Sequence, residues 1–123
     1  MGAATALIVD DEFLIAEGLR MQLEDMGLSV CGVAATAGAA VALAILHKPE
    51  VILMDVRLAG DGGDGVDAAL AIHEQVGSKV IFVTGSREPS TMARIEQDHP
   101  AGVLFKPIYG RQLQTAVHKA LAA

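Results

Sequence analysis

The chain has 123 residues, one cysteine and a formal net charge of −6, and its length reads as one domain over residues 1–123 that needs no disulfide or structural metal. The acidic balance excludes the electrostatic footprint of a nucleic-acid binder. No apolar run approaches ~20 residues and no basic segment precedes a long apolar one, so neither a membrane span nor a signal peptide is expected, and the chain reads as soluble and cytoplasmic.

Taken in order, the first apolar run is Ala6-Leu7-Ile8-Val9, which ends on Asp10-Asp11-Glu12. Ile15, Leu19, Leu23 and Met26 then recur at helical spacing and predict an amphipathic helix that stops at Gly27. A short strand follows over residues 28–33, carrying Cys31 as a small core residue without a partner. The alanine-rich residues 37–47 are helical by propensity and closed by Pro49. Val51-Ile52-Leu53-Met54 is an unbroken apolar run that stops on Asp55, the pattern of a buried strand in a parallel sheet. Gly60-Asp61-Gly62-Gly63 is too glycine-rich for regular structure and reads as a flexible flap before a helix over 64–76. The next strand, Lys79 to Val83, ends in Thr84-Gly85-Ser86, and proline opens a helix over 89–97. A last strand, Val103-Leu104-Phe105, ends in Lys106-Pro107, and Leu113, Val117 and Leu121 mark a final helix over 108–121.

This alternation of strand and helix predicts an α/β fold, a parallel sheet with helices on both faces. Such sheets place their ligands outside the carboxyl ends of the strands. Asp10, Asp11, Asp55, Thr84 and Lys106 all stand at such ends, so acid, acid, hydroxyl and amine converge on what reads as one crevice. Clustered carboxylates repel one another unless they share a cation.

The ordered set Asp10-Asp11, Asp55, Thr84 and Lys106-Pro107 resembles the receiver domain of two-component response regulators, over the whole length of the chain. The resemblance implies a doubly wound, flavodoxin-like sheet of five parallel strands in the order 2-1-3-4-5. It implies that Asp55 accepts a phosphoryl group from a phosphohistidine, on a sensor histidine kinase or a histidine phosphotransfer protein, with Mg2+ as the required ion. Asp11 and Asp55 would ligate magnesium directly, Asp10 through water, and Arg57 through its backbone carbonyl. Thr84 and Lys106 would hold the phosphoryl oxygens, backbone amides near Arg57 and Gly85 would complete the cradle, and the Lys106-Pro107 bond would be cis. Beyond self-phosphorylation and slow loss of the phosphoryl group, no enzyme is implied. The output partner is an unidentified downstream protein, and a homodimer is left open. Phe13 and Leu14 fall where the family docks its phosphodonor, unless they pack locally.

Several residues admit a plainer reading. Asp10, Asp11 and Glu12 could cap a helix N-terminus, Glu12 being the first choice for that role. Thr84 could be a turn residue and Lys106 a solvated charge. His47, His73, His99 and His118 lack ligand spacing and read as surface residues. Leu58-Ala59 stands where most receivers have methionine-proline, and the loop before Gly65 is longer than usual. Val103 replaces the usual aromatic residue three before Lys106, so the change on phosphorylation is expected around residues 84–89 and the next helix, with residues 103–105 completing the output face. No output domain follows the last helix, so the chain reads as a stand-alone receiver or a piece of a larger protein. An aspartyl-phosphate hydrolase of the haloacid dehalogenase type is the main alternative. Asp55-Val56-Arg57 lacks that family's second acid, and there is little room for its cap domain. A dinucleotide-binding domain lacks its glycine fingerprint here. A degenerate receiver that only mediates protein contacts is disfavoured by the intact acid pair, Asp55, Thr84 and Lys106.

Overall fold

In the computed structural model, which describes residues 3–60 and 62–122, strands form where apolar runs lie between turn residues and helices where apolar residues recur on one side. The elements are β1 (Thr5–Val9), α1 (Phe13–Asp25), β2 (Ser29–Ala34), α2 (Ala37–His47), β3 (Val51–Asp55), α3 (Gly65–Gln75), β4 (Lys79–Thr84), α4 (Pro89–Gln97), β5 (Gly102–Phe105) and α5 (Gly110–Ala122). All strand pairs are parallel, in the order β2-β1-β3-β4-β5, the flavodoxin-like arrangement that the resemblance implies. Element bounds depart from the sequence expectation by no more than two residues.

Side-chain alternation along the strands divides the core in two. Leu7, Val9, Ile52, Met54, Val80 and Phe82 face α2, α3 and α4. Ala6, Ile8, Val51, Leu53, Ile81 and Val83 face α1 and α5. Central β3 is buried at all five residues, as its continuous apolar run requires of a strand covered on both faces. Cys31 is half-buried against the first of these clusters rather than fully enclosed.

Local signals set the helix ends. Gly27 follows α1 with φ +92°, a conformation that glycine adopts without steric cost. Thr36 caps α2 by accepting a bond from the Ala39 amide at 3.1 Å. That helix ends two residues before the expected breaker, with Lys48 in the left-handed region at φ +48°, so Pro49 follows the stop and does not make it. α3 opens with a reciprocal capping box in which Asp64 accepts from the amides of Val66 and Asp67, while Asp67 accepts from the amide of Asp64. Asp61, part of the expected flap, lies outside the described residues. Of the neighbouring loop, Ala59 is tied to Thr36 by a parallel bridge. Among the described residues no helix is long and apolar enough to cross a membrane.

Candidate functional site

Asp10, Asp55 and Lys106 continue the strand positions that face α1 and α5, which is why three residues far apart in sequence meet beyond the same edge of the sheet. Asp10 and Asp55 are buried, and Lys106 is largely enclosed between them. The Lys106 Nζ lies 3.0 Å from Asp55 Oδ2 and 3.3 Å from Asp10 Oδ2, with Glu12 Oε1 at 3.8 Å. A solvated lysine is therefore ruled out. The Lys106-Pro107 bond is cis, as the resemblance implies.

Asp10, Asp11, Glu12 and Asp55 each bring a carboxylate oxygen within 4.8 Å of the others. Asp11 and Glu12 are exposed, so the cluster is buried on one side and open on the other. The capping expectation needs correcting here. Glu12 occupies the N-cap position of α1, but its side chain makes no capping bond. Instead the buried Asp10 turns one oxygen, Oδ1, onto the Glu12 amide at 2.8 Å, which leaves the Glu12 carboxylate with the acid cluster.

Electrostatics agree with the geometry. Burial pushes the Asp55 carboxyl above the usual carboxylate range, the bond and charge of Lys106 pull it back, and the charge of Asp10 raises it again, for a net upward shift. Burial would also lower the Lys106 ammonium, but the bond and charge of Asp55, then of Asp10, outweigh it and hold that group above its ordinary value. One ammonium among four carboxylates leaves the site short of positive charge. The donor set is hard oxygen throughout, so a small divalent cation such as magnesium fits it.

Thr84 ends β4 as a buried strand residue, not a turn residue. Its Oγ1 accepts from the Ser86 amide at 3.0 Å, a bond that leaves the hydroxyl hydrogen free to donate. Thr84 and Lys106 share the wall of an open crevice of about 640 Å³ with Asp11, Asp55 and Arg57. The side chain of Arg57 is exposed. The rest of the lining is Glu12 and the segment Gly85, Ser86, Arg87 and Glu88, of which neither Arg87 nor Glu88 was singled out in the sequence.

A further positioning residue escaped the sequence reading. Gly65, the first residue of α3, approaches β3 so closely that a β-carbon there would sit 1.9 Å from the backbone oxygen of Asp55, and its amide donates to the Val56 carbonyl at 2.7 Å. The glycine seats the helix directly against the residue that carries the central carboxylate. A lone glycine after a loop gives no local sign of this, because the constraint comes from a contact across the fold.

Phe13 and Leu14 are 72% and 82% exposed, so they do not pack locally. Of the histidines, His47, His99 and His118 are exposed as expected. His73 departs from that reading, because its Nδ1 lies 3.1 Å from Oδ1 of the buried Asp98.

Comparison with known proteins places this arrangement in a family. The family model described as the response regulator receiver domain matches residues 6–118. The phyllosphere-induced regulator PhyR of Methylorubrum extorquens is 36% identical over 120 residues, which is 97% of this chain and 44% of that protein. The transcriptional regulatory protein PdtaR of Mycobacterium tuberculosis is 31% identical over 116 residues, 94% of this chain and 56% of that protein. The chain thus spans about half the length of these relatives. Among solved structures, the signal receiver domain of a modulated diguanylate cyclase from Desulfovibrio desulfuricans G20 has a TM-score of 0.91 at 33% identity, covering 98% of this chain and 94% of that one. Since the match runs from the first strand into the last helix, and sequence and shape agree along it, the chain belongs to the response regulator receiver domains of two-component systems.

Proposed function

We propose that Asp55 is a phosphoacceptor, charged by a phosphohistidine on a sensor histidine kinase or histidine phosphotransfer protein. The observation that carries the reading is the placement of one buried carboxylate at the tip of the central strand, 3.0 Å from a lysine ammonium and within an acidic cluster that opens to solvent. In the transfer, an Asp55 oxygen forms a bond to phosphorus as the donor's P–N bond breaks. The electron pair leaves with the imidazole nitrogen, which takes up a proton, and the phosphoryl group remains as an acyl phosphate.

The barrier is chiefly electrostatic, because an anionic group must approach several carboxylates. Magnesium would be held by Asp11, Asp55 and the Arg57 carbonyl, with Asp10 acting through water, and when bound it supplies neutralisation of the charge on the phosphoryl oxygens. Lys106, tied to Asp55 before transfer, is positioned to turn its ammonium onto the new dianion. Thr84, which lines the same crevice, can donate its hydroxyl to a phosphoryl oxygen. The exposed Phe13 and Leu14, beside the acids at the start of α1, suit docking of the donor protein.

Output then passes to an unidentified downstream protein through the segment from Thr84 to Phe105. The relatives' names describe regulators, which supports a signalling role. Incubation with acetyl phosphate and magnesium, followed by intact mass, tests the reading. Wild-type protein gains one phosphoryl mass and Asp55→Asn does not; equal labelling of that variant would place the acceptor elsewhere.

A further inference from the structure

Lys106 is already engaged in this structure, with Asp55, Asp10 and Glu12 at 3.0, 3.3 and 3.8 Å. A phosphoryl group arriving on Asp55 would have to share that single ammonium with the acids around it. The crevice wall carries another cation, Arg87, in the loop between β4 and α4. Among the described residues, Arg87 has no carboxylate partner. Its guanidinium carbon instead rests 3.8 Å above the centre of the Phe105 ring.

Phe105 is the register partner of Thr84 across β4 and β5, so the two side chains stand next to each other on the same face of the sheet. The guanidinium is thus parked on the ring that neighbours Thr84 in the sheet, and both Arg87 and Thr84 line the crevice. Stacking a solvent-exposed cation on an aromatic ring is a weak interaction, whereas a planar guanidinium matches a phosphoryl group with two parallel charge-assisted bonds. A dianion on Asp55 therefore outcompetes the ring for Arg87.

Building on the phosphoacceptor reading, we propose that Arg87 is a second cationic ligand of the phosphoryl group, held on Phe105 until that group arrives. Its departure uncovers the ring at the end of β5 and pulls the loop toward the crevice. The arrangement replaces the missing aromatic at Val103 with one two residues further along, moved by a cation rather than by a hydroxyl.

Nuclear magnetic resonance of the wild-type side chains tests this, with magnesium alone and with magnesium plus beryllium fluoride as the phosphoryl mimic. The Arg87 Nε–H should shift and become protected from exchange only with the mimic, and the Phe105 ring resonances should move with it. Arg87→Ala should slow labelling by acetyl phosphate or shorten the acyl-phosphate lifetime roughly tenfold, with an unchanged magnesium titration midpoint. Arg87→Lys should recover part of the loss and Arg87→Gln none, a ranking that a purely structural role of the loop would not produce. Full labelling and lifetime in Arg87→Ala, or a silent Arg87 Nε–H in wild-type protein that binds the mimic, would overturn the proposal while leaving the phosphoacceptor intact. Failure of wild-type protein to be labelled at all would remove both.

Discussion

Asp55 combines two properties that oppose each other. It is buried at the end of an apolar strand, yet the proposed phosphoacceptor role requires it to be ionised. Burial first, and the charge of Asp10 after it, raise its carboxyl in spite of Lys106. A carboxyl raised in the folded state binds its proton more tightly there than in the unfolded chain. Its ionisation thus lowers stability at neutral pH, and the loss is recovered as pH falls through the raised value toward the ordinary carboxylate range. Asp55→Asn should accordingly have a higher urea midpoint than wild type at neutral pH, with the gap closing in mild acid. A gap that stays constant with pH would show that Asp55 carries no such strain. The chemistry-bearing residues at the strand ends were legible in the sequence, because a polar residue ending an apolar run must surface at the edge of the sheet. Gly65 and the pairing of Arg87 with Phe105 were not, since each depends on a contact between segments that are distant in the chain.

Among the elements, α4 is the least anchored by apolar contact. Ile95 is its only buried residue, no side chain caps its start, and polar contacts tie its middle and its C-terminal end. Near the middle, Arg94 reaches the start of α3, with Nη1 2.6 Å from Asp64 Oδ2 and Nη2 3.1 Å from Asp67 Oδ1. At the C-terminal end, Asp98 meets His73. Burial raises the Asp64 carboxyl, but the Arg94 bond, the Asp67 amide and the charge of Arg94 together outweigh it and hold the group below the usual range, so this clasp persists until the pH falls below that range. The ion pairs are half-exposed and screened, and Arg94→Ala should cost less than about 1 kcal/mol. Ile95→Ala removes a fully buried side chain and should cost about 2 to 5 kcal/mol by urea unfolding. Hydrogen exchange separates the roles further. Arg94→Ala should speed exchange of α4 amides while leaving β3 protected, and equal acceleration in both would show that the clasp belongs to the global fold. The sequence marked α4 through its proline start, but it could not show that two ion-pair contacts from Arg94 and a bond between His73 and Asp98 supplement a single buried apolar residue.

For the whole molecule, the acid cluster makes stability depend on what binds it. A ligand that binds only the folded state stabilises it by mass action, by about 2.7 kcal/mol at a hundredfold excess over its dissociation constant. Magnesium should therefore raise the urea midpoint of the wild-type protein. The two acids after β1 should differ in what they contribute. Asp11 is exposed and enters no other bond among the described residues, so Asp11→Ala should keep the metal-free stability and lose the magnesium response. Asp10 also holds the Glu12 amide and Lys106, so Asp10→Ala should weaken the metal-free fold as well. A full magnesium response in Asp11→Ala would reverse this assignment. Parallel order and two-faced layering were legible from the alternation of elements and the unbroken apolar run of β3. Strand order was legible only through the family resemblance, because hydrophobic pattern does not say which strand lies beside which. That order has a mechanical consequence. β3 is hydrogen-bonded on both sides and buried along its whole length, while β5 has a single neighbour and is half-buried throughout. Asp55 stands on the stiffest girder of the sheet and Lys106 on a softer outer rail, so a load applied between them displaces the rail and leaves the girder in place.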